Sequence, residues 1–328
     1  MNNSKFGKAW LYVSYALLFV SGCKIGGNNK EERNFKNLQE VEIITLDLPL
    51  IRFQAYRDFV FAYEYSNKSL FKLDPSFQVI DTLGGWGDGP KENLLVRNYH
   101  VFADYKAAIF DTEKSTFKIQ DFSDSVFYYH KFTKNVERGV FLNEDLLITL
   151  SSGSKMKLEF DFFDIKKSEF IPIKNINKLY DLDYSFLIHE GKLLQNKNMV
   201  VFTPYFSDQW FTFDTKTKEL NVGKYLKEFP IPQVKQIGDG FMLDEAPDLI
   251  IDSFILGNYL AIISNVGERK LGENRILDLY NISDLSYSHS YVLPEINDAI
   301  PDDGFVLSDS KIGIVYEDEL VIFKLELD

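Results

Sequence analysis

A single cysteine, Cys23, serves 328 residues, so no disulfide forms within one chain and stability has to come from burial and backbone pairing. Basic residues are also short. There are 36 Lys and Arg against 49 Asp and Glu, a net charge of −13. That excludes a general nucleic-acid binder, because a polyphosphate partner needs a basic surface. The four histidines, His100, His130, His189 and His289, lie far apart and show none of the H-x-H, H-x-x-x-H or H-E-x-x-H spacings of a metal site. With no D-x-D-x-D-G calcium loop and no G-x-S-x-G elbow, no metal or cofactor is expected and no motif marks a catalytic residue. Sustained 3.6-residue periodicity is missing too, which argues against a helical protein. The apolar stretch at residues 9–20 is too short to span a bilayer as a helix. What the chain does have is 45% hydrophobic and 15% aromatic residues, including 29 Phe and 18 Tyr, enough for a large core and incompatible with disorder.

Lys5 and Lys8 precede the 9–20 stretch, and Val20-Ser21-Gly22-Cys23 follows it. The arrangement resembles the signal peptide and lipobox of bacterial lipoproteins, with Val20 where Leu is commoner. The resemblance implies cleavage before Cys23 and lipid on that residue. Residues 1–22 are then a signal peptide, 23–38 a polar flexible tether and 39–328 the folded domain. Cleavage removes Lys5 and Lys8 and no acidic residue, leaving 34 basic against 49 acidic residues. Anionic headgroups repel such a body, so the membrane is met through the lipid anchor only. Lys24-Ile25-Gly26-Gly27 lacks the acidic surface-export signal of Bacteroidota lipoproteins, so the periplasmic face of the outer membrane is expected over the cell surface.

From residue 39 a unit recurs: an apolar run, a turn, a second run ending in Asp or Asn, then a third alternating run. FVFAYEY (59–65) is paired with SLFKLD (69–74), and AAIFD (107–111) with TFKIQDF (116–122). LLITL (146–150) goes with LEFDFFD (158–164), and MVVF (199–202) with WFTFD (210–214). LAII (260–263) goes with ILDLYN (276–281), and IGIVY (312–316) with ELVIFKLEL (319–327). A spacing of about 50 residues signals a repeat architecture, and short runs rich in Phe, Tyr, Ile and Val between turn residues are strands. One further apolar segment precedes each copy: LIRFQAY at Arg52, LLVRNYHVF at Arg97, VERGVFL at Arg138, SFLIHEG at His189, DSFILGN at Phe254 and GFVLSDS at Phe305. Four strands, six times over, predict an all-β six-bladed β-propeller with four-stranded blades. The last copy lacks an outer strand while residues 41–48 (VEIITLDL) have no partner, so the N-terminal strand is expected to close the last blade. A sandwich or barrel with a second domain leaves the sixfold period unexplained.

Residues 81–92 (DTLGGWGDGPKE) resemble the G-x-G-x-G-P-G-E segment of the TolB-like six-bladed propeller lipoproteins of Bacteroidota, with Lys91 where that family has Gly. As in that family, an inner strand and a blade, here 107–122, follow. The resemblance extends over most of the chain through the repeat and implies fold and compartment rather than activity.

The glycines of this segment do not make a phosphate loop: no Gly-Lys-Ser/Thr follows, no helix starts there, and Asp88 sits where a phosphate would. The segment reads as a tight turn between blades, with Trp86 either stacking on a sugar or capping a blade. Asp302-Asp303-Gly304 and Asp181-x-Asp183 read as turn acids, and residues 151–154 (SSGS) as a hairpin turn. Arg52, Arg97, Arg138 and His189 fall in the expected innermost strands of blades 1 to 4 of an otherwise acidic chain. Innermost strands line the central channel, where these groups either converge on an anion such as a carboxylate or sulfate, or pair with acids of neighbouring blades. Residues 229–248 and 267–274 break the repeat as long loops, from recognition or from drift.

The expected protein is therefore a monomeric, lipid-anchored cell-envelope propeller that binds an envelope protein, a peptide or a glycan. The alternative is a lyase or hydrolase with its site at the channel mouth, which needs an acid and a base converging there.

Overall fold

The computed structural model describes residues 32–102, 105–123, 125–228, 231–244, 249–265 and 275–327; the expected signal peptide at 1–22, Cys23 and the 267–274 loop lie outside them. The chain divides into two units, Met1–Arg33 and Asn34–Asp328, and the second carries the fold. Its first strand is β1 (Leu38–Thr45). Blade 1 follows with β2 (Leu50–Tyr56), β3 (Phe59–Glu64), β4 (Ser69–Leu73) and β5 (Val79–Gly84). Blade 2 holds β6 (Val96–Phe102), β7 (Lys106–Asp111), β8 (Thr116–Gln120) and β9 (Val126–Lys131). Blade 3 holds β10 (Val136–Asn143), β11 (Leu146–Ser152), β12 (Leu158–Asp164) and β13 (Glu169–Pro172). After two short helices, α1 (Lys174–Leu179) and α2 (Ser185–Ile188), blade 4 is β14 (Gly191–Asn196), β15 (Met199–Pro204), β16 (Gln209–Asp214) and β17 (Leu220–Lys224). A hairpin, β18 (Gln233–Ile237) and β19 (Gly240–Asp244), comes before blade 5: β20 (Ile250–Leu256), β21 (Tyr259–Ser264), β22 (Ile276–Asn281) and β23 (Tyr287–Val292). Blade 6 is β24 (Asp303–Ser308), β25 (Lys311–Tyr316) and β26 (Glu319–Leu325), with β1 antiparallel to β26 as its outer strand. The protein is a six-bladed β-propeller closed by its N-terminal strand.

The sequence pattern explains the blade. Second strands such as β3 and β7 are buried on both faces between neighbouring blades, hence their nearly unbroken apolar runs. The Asp or Asn that ends the third strand turns the chain: Asp74, Asp164, Asp214 and Asn281 each accept a hydrogen bond from a backbone N–H two or three residues on. Six apolar clusters fill the six gaps between blades, and the closing gap is held by Phe53 stacked on Phe305 at 4.9 Å. Successive inner strands touch, and β2 touches β24, so the ring is complete.

The structure corrects two expectations. SFLIHEG is not the inner strand of blade 4: β14 takes that place, and Ser185–Ile188 is a helical turn with His189 at its C-terminal end. A short apolar run does not by itself distinguish a strand from a buried helix, and here Ile176 and Tyr180, one turn apart, fill the gap between blades 3 and 4. The end of the expected tether is docked. Phe35 bridges Ser290, and the Asn34 N–H donates to Tyr287 Oη at 2.9 Å. Less far from expectation, the described part of the long 229–248 loop is ordered by pairing with itself as a hairpin, turned at Gly238 with φ of 58°.

Close packing between blades 2 and 3 yields a first prediction. A Cβ on Gly139 would lie 2.2 Å from the buried Phe110 ring, and the Gly139 carbonyl accepts Asn98 Nδ2 at 2.6 Å. Gly139→Ala is expected to cost about 1–3 kcal/mol in urea unfolding, because the ring has no free volume to enter.

Candidate functional site

In this topology the outer strand of each blade hands over to the inner strand of the next at one end of the ring, so every inner strand begins at the same mouth. Near that start each inner strand carries a charged residue: Arg52, Arg97, Arg138, Lys192, Asp252 and Asp303, one per blade. Bulges in β2, β6, β10 and β20 fall next to or at these positions. A bulge redirects a side chain out of the regular alternation, and at Arg52 the backbone is left-handed with φ of 56°. All six residues line one cavity of about 530 Å³, together with Gln54, His100 and Tyr205.

Cations and acids are segregated around the ring. Arg52 donates through Nη1 to the Val96 carbonyl and lies over the Tyr63 ring at 5.6 Å. Burial, then the guanidinium of Arg138 and more weakly that of Arg97, lower its pKa. Arg138 reaches Glu190 at 3.4 Å and covers the Tyr205 ring at 5.6 Å. Arg97, on the blade between them, has no hydrogen bond or ion pair among the described residues, and its Nε is buried. On the other side Lys192 Nζ meets Asp252 Oδ1 at 2.5 Å. Burial alone would lower Lys192, but Asp252 and then Asp303 hold it above its usual value. Asp252 also accepts the Gly304 N–H at 3.0 Å, and Asp303 accepts the Arg52 N–H at 2.5 Å. Burial and the adjacent Asp252 carboxylate push Asp303 up to about 8. His100, on the channel wall 3.5 Å from Gln54 Nε2, is lowered to about 4 by burial and stays neutral.

The structure thus brings together Arg52, Arg97 and Arg138, as the sequence suggests, and excludes His189. That ring packs tilted against Tyr180 at 4.9 Å and meets Ser207 Oγ at 3.2 Å, away from the cavity lining. Trp86 is 76% exposed at a loop tip and does not line the cavity. Its loop is held from beneath by two lysines: Lys114 Nζ donates to the carbonyls of Gly89 and Glu92, and Lys118 Nζ to those of Pro90, Lys91 and Glu92. Carbonyls, not N–H groups, converge there, the reverse of a phosphate loop. The sequence reading missed Lys192, Asp252 and Asp303. The available signal was positional, a charged residue at the start of each inner strand, hidden by the misplaced blade 4 strand and by reading Asp303 as a turn acid. No group of three His, Cys, Asp or Glu placed to hold a metal occurs among the described residues.

No family profile matches the sequence, and no curated protein matches it. The chain is similar in structure to a member of the DUF4221 family from Bacteroides vulgatus, with a TM-score of 0.59 at 11% identity over 90% of this chain and 99% of that one. It is also similar to a presumed exported protein of Bacteroides fragilis, with a TM-score of 0.56 at 11% identity over 89% and 95% of the two chains. A streptogramin B lyase gives a TM-score of 0.51 at 12% identity over 90% and 100%. At such identities the similarity establishes the propeller and nothing of the chemistry.

Proposed function

We propose that the protein is an exported, lipid-anchored propeller of the bacterial cell envelope that binds an anionic group of a protein, peptide or glycan partner in its central channel. Arg97 carries this reading: a guanidinium lining the cavity between two others, with no counter-charge among the described residues. Clustered guanidiniums are costly unless an anion joins them, and their planar forks suit carboxylate and ester oxyanions. The lipobox at Cys23 and the similarity to a presumed exported Bacteroides protein support the compartment, with the periplasmic face of the outer membrane favoured.

The test is binding of the full chain to arrays of anionic glycans and peptides. A ligand retained by the native protein is expected to lose at least about tenfold in affinity for each arginine removed in Arg97→Ala and Arg138→Ala, since a charge-assisted hydrogen bond contributes about 1.5–3 kcal/mol. Undiminished binding by the folded double variant overturns the channel site.

A lyase or hydrolase is the second reading. It is favoured by the Asp303 carboxyl within the cavity, raised by burial and Asp252 toward the range of a general acid, and by the occurrence of the same fold in a streptogramin B lyase. Chemical change of a bound array ligand, abolished by Asp303→Asn, would put this reading first.

A further inference from the structure

The charge on the channel wall sets the charge of what it holds. Arg52, Arg97, Arg138 and Lys192 stand against two carboxylates within ion-pair distance, Asp252 at Lys192 and Glu190 at Arg138. Asp303 keeps its proton in the neutral range, and the remaining lining acids, Asp302 and Glu317, are exposed to solvent. Two positive charges are left without compensation, both in the arginine arc of blades 1 to 3. Three arginines from three consecutive blades, each near the start of its inner strand, line a single cavity. A tetrahedral head with three terminal oxygens offers one oxygen to each fork, whereas one carboxylate satisfies a single fork. The cavity, about 530 Å³, is of the size that takes a small organic ligand.

We propose that the arc formed by Arg52, Arg97 and Arg138 takes a ligand whose head is a phosphomonoester-type dianion, with the Asp303 carboxyl at the edge of the arc beside Arg52. This rests on the anion-binding reading above and specifies its substrate class. A phosphomonoester carries close to two negative charges above pH 7, matching the uncompensated charge of the wall. The acid side then has a definite role. While Asp303 is neutral it leaves the field of the arginines intact; once ionised it adds a negative charge to the same cavity and opposes the ligand. The groups facing Asp303 are Asp252 from β20, Lys192 from β14, Arg52 from β2 and Tyr99 from β6. Tyr99 is raised well above its ordinary value by burial, Lys192 is raised by Asp252 and Asp303, and Asp303 is pushed up to about 8. Rising pH through about 8 therefore weakens the site.

The test uses two measurements on the full chain. At pH 7.5 phenyl phosphate and phenyl sulfate, alike in shape but differing by one charge, are compared by isothermal titration. Phenyl phosphate is expected to bind at least about tenfold tighter, with the difference lost in Arg97→Ala. Sulfate ion, a dianion throughout, is then titrated from pH 7 to pH 9. Its dissociation constant is expected to rise at least about fivefold in the native protein and to stay level in Asp303→Asn, which cannot ionise. Equal affinity for the two phenyl esters, with both dependent on Arg97, overturns the dianion and leaves the anion site standing. Succinate binding more tightly than phenyl phosphate overturns the single tetrahedral head. If no probe binds in an Arg97-dependent way, the dianion proposal and the anion site fail together. A sulfate affinity that falls equally in native protein and Asp303→Asn overturns the role of the carboxyl.

Discussion

Deleting Leu38–Thr45 is expected to turn a monodisperse protein into one that self-associates within hours at micromolar concentration, as followed by light scattering. Strand β1 pairs with β26 over seven residue pairs, from Leu38 opposite Leu325 to Thr45 opposite Glu319, so the deletion strips one side of β26 of its hydrogen-bond partners. The exposed strand, ELVIFKL, has buried Leu320, Val321, Ile322, Phe323 and Leu325, a sequence with strong β-propensity and a single positive charge near its end. Such an edge templates pairing with a second chain. Because β1 is itself mostly exposed, with only Leu38 and Ile44 half-buried, the deletion removes little core. Association rather than wholesale unfolding is therefore the expected failure. A synthetic peptide of residues 38–45 added in excess should restore the monodisperse species by strand addition. A truncated protein that stays monodisperse without the peptide would show that closure by β1 is dispensable.

Trp210→Ala is expected to cost about 3–5 kcal/mol, the largest penalty of any single core truncation proposed for this fold. Trp210 lies on β16, fully buried in the gap between blades 4 and 5, with the Tyr280 ring 5.9 Å away. Its indole is seated on Gly223 of the neighbouring strand β17, where an added Cβ would come within 2.5 Å of the ring, so that glycine exists to make room. Removing the indole leaves a hole that the rigid sheet cannot close, and the stability of the whole ring suffers because each blade is held by both neighbours. Trp210→Phe should recover most of the loss. The indole Nε1 has no hydrogen-bond partner among the described residues, so replacing it gives up volume without breaking a polar contact. Urea unfolding of the three proteins checks both statements. An alanine variant within about 1 kcal/mol of native, or a phenylalanine variant no better than alanine, contradicts this account of the gap.

The architecture was readable because it repeats. FVFAYEY, AAIFD, LLITL and their counterparts became the second strands of their blades, since a strand buried on both faces must be apolar nearly throughout. Closure was readable as well, because a last copy short of a strand and an unpaired VEIITLDL leave one economical solution. Blade 4 was not: SFLIHEG has a strand-like composition, and only the space between blades 3 and 4, filled by Ile176 and Tyr180, makes that region helical.

The site divides along the same line. Arg52, Arg97 and Arg138 stood out because they are basic residues in the inner strands of an acidic chain, and strand order alone places them at the channel. Lys192, Asp252 and Asp303 did not stand out, since their meaning depends on partners some 50 to 60 residues away in sequence: Lys192 on Asp252, and Gly304 beside Asp303 on that same carboxylate. Repeat and strand signals are local, carried by residue type and spacing, so the propeller and its closure could be read from the chain alone. Which of the channel's charges pair with one another, and which guanidinium is left without a partner, depends on distances across the ring that no local pattern encodes.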